Sequence, residues 1–180
     1  MSGIWTESIL RKAQHGDQDA LDTLIRTYYP QILNYCRWHT SDEQQAQDAA
    51  QETFLKMVHW LDAGGGFQGS FRPFLYKIAK NVCIDLSRAA GRTEVSLEGL
   101  PEEPAYRESG FAAAEDGADL RALTARLKPE QRELVLLRFA QQLKLREIAQ
   151  ITGLPPRTVQ SRLRTALKTL QTQLEKEDWR

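Results

Sequence analysis

Apolar residues recur along this chain at spacings of three and four, the period of an α-helix that buries one face. Leu21, Leu24, Ile25 and Tyr28 form a first stripe, and Ile32, Leu33 and Cys36 continue it past Pro30. Ala50, Phe54, Met57 or Val58, and Leu61 form a second. Phe71, Leu75, Ile78, Val82 and Leu86 form a third, which runs up to Arg88, with Gly91 following. Ser70 stands where this third helix needs an N-cap, and Pro73 falls in its first turn, where proline is tolerated. Periodicity resumes at Leu120, Leu123 and Leu127, and Pro129 opens a helix holding Leu134, Val135, Leu136, Leu137 and Phe139. The apolar–polar alternation that marks strands is missing. The pattern predicts an all-α protein.

Two stretches interrupt it. Asp62 to Ser70 contains four glycines and predicts an irregular loop. From residue 91 to about 117, Gly, Pro, Glu and Ser dominate and the periodicity is lost, as in a linker. The layout is therefore two small helical domains, residues 1–90 and 119–176, joined by a flexible linker over 91–118. Its 180 residues suffice for two such domains, each with a marginal core.

Leu145 to Leu170 reads as a helix-turn-helix. Ala149 lets two helix backbones approach. Gly153 can take the left-handed conformation that ends a helix. Val159 brings the second helix back onto the first. That second helix carries Arg157, Arg162, Arg164 and Lys168 and no acid. Guanidinium groups beside Thr158, Gln160 and Ser161 suit a DNA major groove. A plain helical hairpin with a solvated basic face is the alternative; the turn chemistry and the one-sided charge together favour DNA.

Charge changes the picture further. The chain is neutral overall. Residues 1–90 carry 9 Lys and Arg against 10 Asp and Glu, residues 91–118 carry 2 against 7, and residues 119–176 carry 12 against 5. A basic module behind an acidic connector suggests that the module meets nucleic acid. No apolar run is long enough to cross a membrane, and the first twenty residues lack the pattern of a secretion signal. A cytoplasmic protein without membrane insertion is expected.

Candidate chemistry is sparse. Cys36 and Cys83 lie in apolar helical patterns and read as reduced core thiols. Cys36 and His39 are spaced to share a metal, but two ligands do not make a site, so no metal and no cofactor are expected. His15, His39 and His59 are scattered and no nucleophile–base pair stands out, which argues against an enzyme and leaves no catalytic residue to name. Off the third stripe, Lys77, Lys80, Asn81 and Arg88 share the helix surface with Phe74 and Tyr76. Cations among aromatics can track a phosphate backbone and stack unpaired bases. On Asp48 to Leu61, the residues Asp48, Gln51, Glu52 and Lys56 lie opposite the apolar stripe, either as an ordinary solvated face or as a contact for a large protein.

In order, these segments resemble an extracytoplasmic-function sigma factor of bacterial RNA polymerase, a group of the sigma-70 family. DAAQETFLKMV resembles the polymerase-binding segment of region 2, and FRPFLYKIAKNVCIDLSR the segment that melts and reads the promoter −10 element. LKPEQRELVLLRFAQQLKLREIAQITGLPPRTVQSRLRTALKTL resembles region 4, which reads the −35 element. The resemblance covers roughly residues 16–90 and 121–172. It implies core RNA polymerase and promoter DNA as partners, and an anti-sigma factor that restrains the chain. It implies that Asp48, Gln51, Glu52, Phe54 and Leu55 dock on the polymerase clamp, although the stripe position of Phe54 also suits the core. Phe67, in the glycine-rich loop, and Arg72, Lys77, Lys80, Asn81 and Arg88 would face −10 DNA. Arg157, Thr158, Gln160, Ser161, Arg162, Arg164 and Lys168 would face the −35 groove or its phosphates.

The chain departs from the family pattern in places. Gln160 stands where Lys or Arg is common, Thr165 replaces a frequent Arg, and Phe74 a frequent Trp. Glutamine can pair with adenine through two hydrogen bonds, so the preferred −35 sequence is expected to differ. A second reading is a stand-alone DNA-binding regulator whose N-terminal domain senses a signal or dimerises.

Overall fold

The computed structural model describes residues 2–66, 70–94 and 115–177. The described residues are mainly helical and divide into two compact units.

The first unit holds α1 (Ser2–Gln14), α2 (Gln18–His39), α3 (Glu43–Asp62) and α4 (Phe71–Glu94). Capping starts two of these. Asp17 accepts from the Ala20 N–H at 3.1 Å, and Asp42 from the Gln45 N–H at 2.8 Å, so each satisfies an orphan donor of the first turn. Helix α2 runs unbroken through Pro30. An interior proline costs about 3 kcal/mol. Pro30 is exposed, so water can reach the carbonyl it frees, while Leu24, Tyr28, Ile32 and Cys36 bury the other face. Helix α3 meets its neighbours with small residues, Ala46, Ala49, Ala50 and Thr53, before Phe54, Met57 and Leu61 fill the wider end. A fork between Arg37 and Glu43 closes the α2–α3 turn, with two N–H···O contacts of 2.9 and 2.8 Å.

Helix α4 departs from the expected pattern at its end. It passes Gly91 and runs to Glu94, because Ala89, Ala90 and Arg92 are good helix formers and no proline intervenes. Its core contacts end at Cys83. Leu86, expected on the buried stripe, is exposed, and every residue from Ile84 to Ala90 faces solvent. Tyr76, Ala79 and Cys83 occupy the interior instead.

The second unit holds α5 (Glu115–Thr124), α6 (Pro129–Val135), α7 (Leu145–Thr152) and α8 (Pro156–Glu177). Helix α5 begins five residues before Leu120, where Glu115 and Asp116 favour an N-terminus. The helix that Pro129 opens is not α-helical through Phe139. It widens into a π-helical turn over Leu136–Ala140, closed by the Gln141 N–H on the Leu136 carbonyl at 3.0 Å. Four consecutive residues, Leu134 to Leu137, are buried there, more than one face of a regular helix can turn inward, while Phe139 is exposed. The expected linker is thus helical at both ends, over 91–94 and 115–118, and its middle, 95–114, lies outside the described residues.

Candidate functional site

The turn between α7 and α8 forms as its residues require. Gly153 has φ +73°, and its N–H donates to the Ala149 carbonyl at 2.9 Å. The Glu147 carboxylate accepts the Lys144 N–H at 2.8 Å and fixes the start of α7. Pro155 precedes α8 and Pro156 begins it, and the Val159 N–H donates to the Pro155 carbonyl. Val159, Leu163, Ala166 and Leu170 are buried at helical spacing, which anchors one face of α8.

The residues singled out on α8 split into two groups. Arg157, Ser161, Arg164 and Lys168 are exposed and lie opposite the buried stripe, with exposed Gln160 at one edge of that face. Thr158 lies at the other edge of that face, and Arg162, four residues on, lies closer to the stripe. Thr158 is half-buried, and Arg162 reaches Glu130 of α6 with an N···O distance of 3.5 Å. Glu130 is a residue that periodicity and charge runs do not mark.

In the first unit, Lys77, Asn81 and Arg88 are exposed at positions i, i+4 and i+11 of α4, with exposed Ile84 between them. Lys80 is half-buried beside this stripe. Arg72 is half-buried and lies off it. The aromatic neighbours separate. Phe74 is half-buried and packs on Trp60 with ring centroids 4.5 Å apart. Tyr76 is fully buried edge-on against Tyr35, so it cannot stack a base, and the aromatic role drawn for it from the sequence is corrected. Phe67 lies outside the described residues.

On α3, Asp48, Gln51, Glu52 and Leu55 form one exposed stripe, and His59 extends it by a further turn. Leu55 is 54% exposed, one turn beyond Glu52 and one turn before His59. The Asp48 carboxylate accepts from Gln44 Nε2 at 2.9 Å. Phe54, expected on this docking face, is 5% exposed and packs on Tyr29 in the core; a buried ring offers a partner nothing. Cys36 and Cys83 are buried and unbridged. The ring of His39 stacks on Tyr35, and no group of three metal-ligating side chains occurs among the described residues.

Residues 24–93 match the family model for sigma-70 region 2, and residues 118–170 that for sigma-70 region 4. RNA polymerase sigma factor YlaC of Bacillus subtilis (strain 168) is 33% identical over 141 residues, 76% of this chain and 81% of that protein. The chain belongs to the sigma-70 family. Its relatives include ECF RNA polymerase sigma factor ShbA of Streptomyces griseus, 29% identical over 179 residues that cover 91% of this chain and 92% of that one. They place it in the extracytoplasmic-function group. Solved structures share this fold. CnrH, in complex with the cytosolic domain of CnrY, superposes with a TM-score of 0.70 at 24% identity, over 93% of this chain and 95% of that one. RpoE, in complex with the anti-sigma factor NepR from Bartonella quintana, gives 0.64 at 23% identity, over 86% and 96%.

As a sigma factor the chain binds core RNA polymerase and directs promoter-specific transcription initiation through −10 and −35 elements. Sigma factors are initiation factors and not enzymes. The stand-alone regulator reading falls away, because residues 24–93, from within α2 to the end of α4, match region 2 rather than a sensor module. Among the described residues no helix is long and apolar enough to cross a membrane.

Proposed function

We propose that the three exposed faces divide the work of initiation. The α3 stripe of Asp48, Gln51, Glu52 and Leu55 docks on core polymerase, with Leu55 as its apolar contact and the two carboxylates on the N-terminal side of it. The α4 stripe of Lys77, Asn81 and Arg88, flanked by Lys80 and joined by Arg72 and Phe67, tracks the opened −10 strand. The α8 face of Arg157, Gln160, Ser161, Arg164 and Lys168, with Thr158 and Arg162 on its flank, lies in the −35 groove. The observation that carries this reading is the α8 face: Arg157, Arg164, Lys168 and the Ser161 hydroxyl stand opposite the buried stripe with the Gln160 amide at the edge, the arrangement that a helix inserted into a groove requires.

The mechanism is binding energy realised only on the right promoter. Region 4 fixes the register on duplex DNA through phosphates and a few base edges. Region 2 then holds the unstacked strand, whose extrusion costs a few kcal/mol that contacts to the freed bases must offset. Domains at 1–90 and 119–176, tethered by 91–118, raise each other's effective concentration, so neither need bind tightly alone. The chain works in the cytoplasm, where polymerase and promoter are. Two solved proteins of this fold, CnrH and RpoE, are in complex with other proteins, in the case of RpoE the anti-sigma factor NepR. By analogy, an anti-sigma factor restrains this chain by covering the same faces.

The double substitution Asp48→Ala with Glu52→Ala tests the docking face. Core affinity should fall about tenfold, the loss expected when two charges that face complementary charges on the partner are removed, while the melting temperature stays unchanged. Undiminished affinity for core polymerase would remove α3 from the interface.

A further inference from the structure

Arg162 does not stand alone on the α8 flank. Its Nη1 lies 3.5 Å from Oε2 of Glu130, and the two side chains are 45% and 83% exposed. The partners sit on different helices: Glu130 is the second residue of α6, directly after Pro129, and Arg162 is in the second turn of α8. The contact is a single one and not a bidentate fork, so it is weak. Its placement matters more than its strength. A carboxylate at this spot occupies the guanidinium that a phosphate or base edge would take. It also adds a negative charge next to a face that is otherwise basic.

We propose that Glu130 competes with DNA for Arg162 and so limits the affinity of region 4 for duplex DNA. The inference rests on the reading of Arg162 as a DNA contact. In the free protein the carboxylate stands in for a phosphate oxygen. On binding, Arg162 turns from Glu130 to the DNA, and the carboxylate is left in water, which its exposure allows at little cost. DNA affinity is therefore lower than the basic face alone would give. A restrained region 4 holds a promoter only when region 2 is engaged as well, which suits a chain whose two weak sites act together.

The test is a double-mutant cycle on the full chain, read as the dissociation constant for a fluorescent mixed-sequence duplex at low salt. Glu130→Gln keeps the side chain's shape and removes its charge. It should tighten binding roughly threefold to tenfold, a gain that shrinks as salt rises because the pair is exposed. Arg162→Ala should weaken binding and lower the salt slope by about one. In the Arg162→Ala background, Glu130→Gln should change affinity less than about twofold, since only its general field then remains. If Arg162→Ala weakens binding but Glu130→Gln does not tighten it, or tightens it equally in both backgrounds, the competition is refuted while the DNA-facing role of Arg162 stands. If Arg162→Ala leaves affinity and salt slope unchanged, the DNA-facing role fails and the competition with it.

Discussion

At Gly65 one missing Cβ decides how the glycine-rich loop leaves α3. Its N–H donates to the Trp60 carbonyl at 2.9 Å, and its carbonyl accepts from Gln14 Nε2 at 3.3 Å. The Trp60 indole lies where a Cβ would stand, and the same ring packs on Phe74. Gly65→Ala should therefore push the indole off Phe74 and cost about 1–3 kcal/mol in urea unfolding, as overpacking does. Gly66→Ala meets open space and should stay within about 0.5 kcal/mol of the parent. The glycine run was plain in the sequence. Which glycine carries the constraint was not, because that depends on a tryptophan ring placed by tertiary packing. The same holds for Phe54 and Tyr76. Their residue types suit a contact surface, and only the packing of α2 against α3 and α4 shows that both point inward.

Between elements, two arginines act as clasps. Arg37 holds Glu43 across the α2–α3 turn, and the hydrogen bond from its guanidinium holds the Glu43 carboxyl below its usual value. A carboxyl whose folded value is lowered stabilises the fold above its unfolded value, and that contribution is lost as pH falls through the lowered one. Stability should thus fall on acidification below the ordinary carboxylate value of 4.5. Urea midpoints at pH 7 and pH 3 should lie closer together in Glu43→Gln than in the parent; an equal or wider gap would show that the clasp contributes nothing. In the second unit Arg132 donates to the carbonyls of Thr124, Ala125 and Leu127 at 3.0, 3.0 and 3.2 Å, and so caps the end of α5 from α6. Arg132→Ala leaves part-buried carbonyls without that donor. It should cost about 1–3 kcal/mol, measured by thermal unfolding. The helix-turn-helix was legible because its turn uses local chemistry, with Ala149, Gly153 and Val159 close together in sequence. The π-helical turn was not, since the run Leu134–Leu137 fits several periods equally well. The exposed end of α4 was hidden for another reason: periodicity shows an apolar stripe but not where its partners stop.

For the molecule as a whole, the order of segments carried the family, and the charge distribution pointed to the DNA-facing end. The Glu130–Arg162 pair was not visible at that level, because its members are 32 positions apart in sequence and meet only when α6 packs on α8. The two units bring small, separately weak faces to a much larger machine, and initiation is the sum of what they hold. Run-off transcription with purified core RNA polymerase and a library of genomic promoters measures that sum. The full chain should confer initiation at a discrete set of start sites on core enzyme that initiates at none of them alone, and Asp48→Ala with Glu52→Ala should abolish most of the product. Transcripts from the same positions with and without the chain would contradict the account.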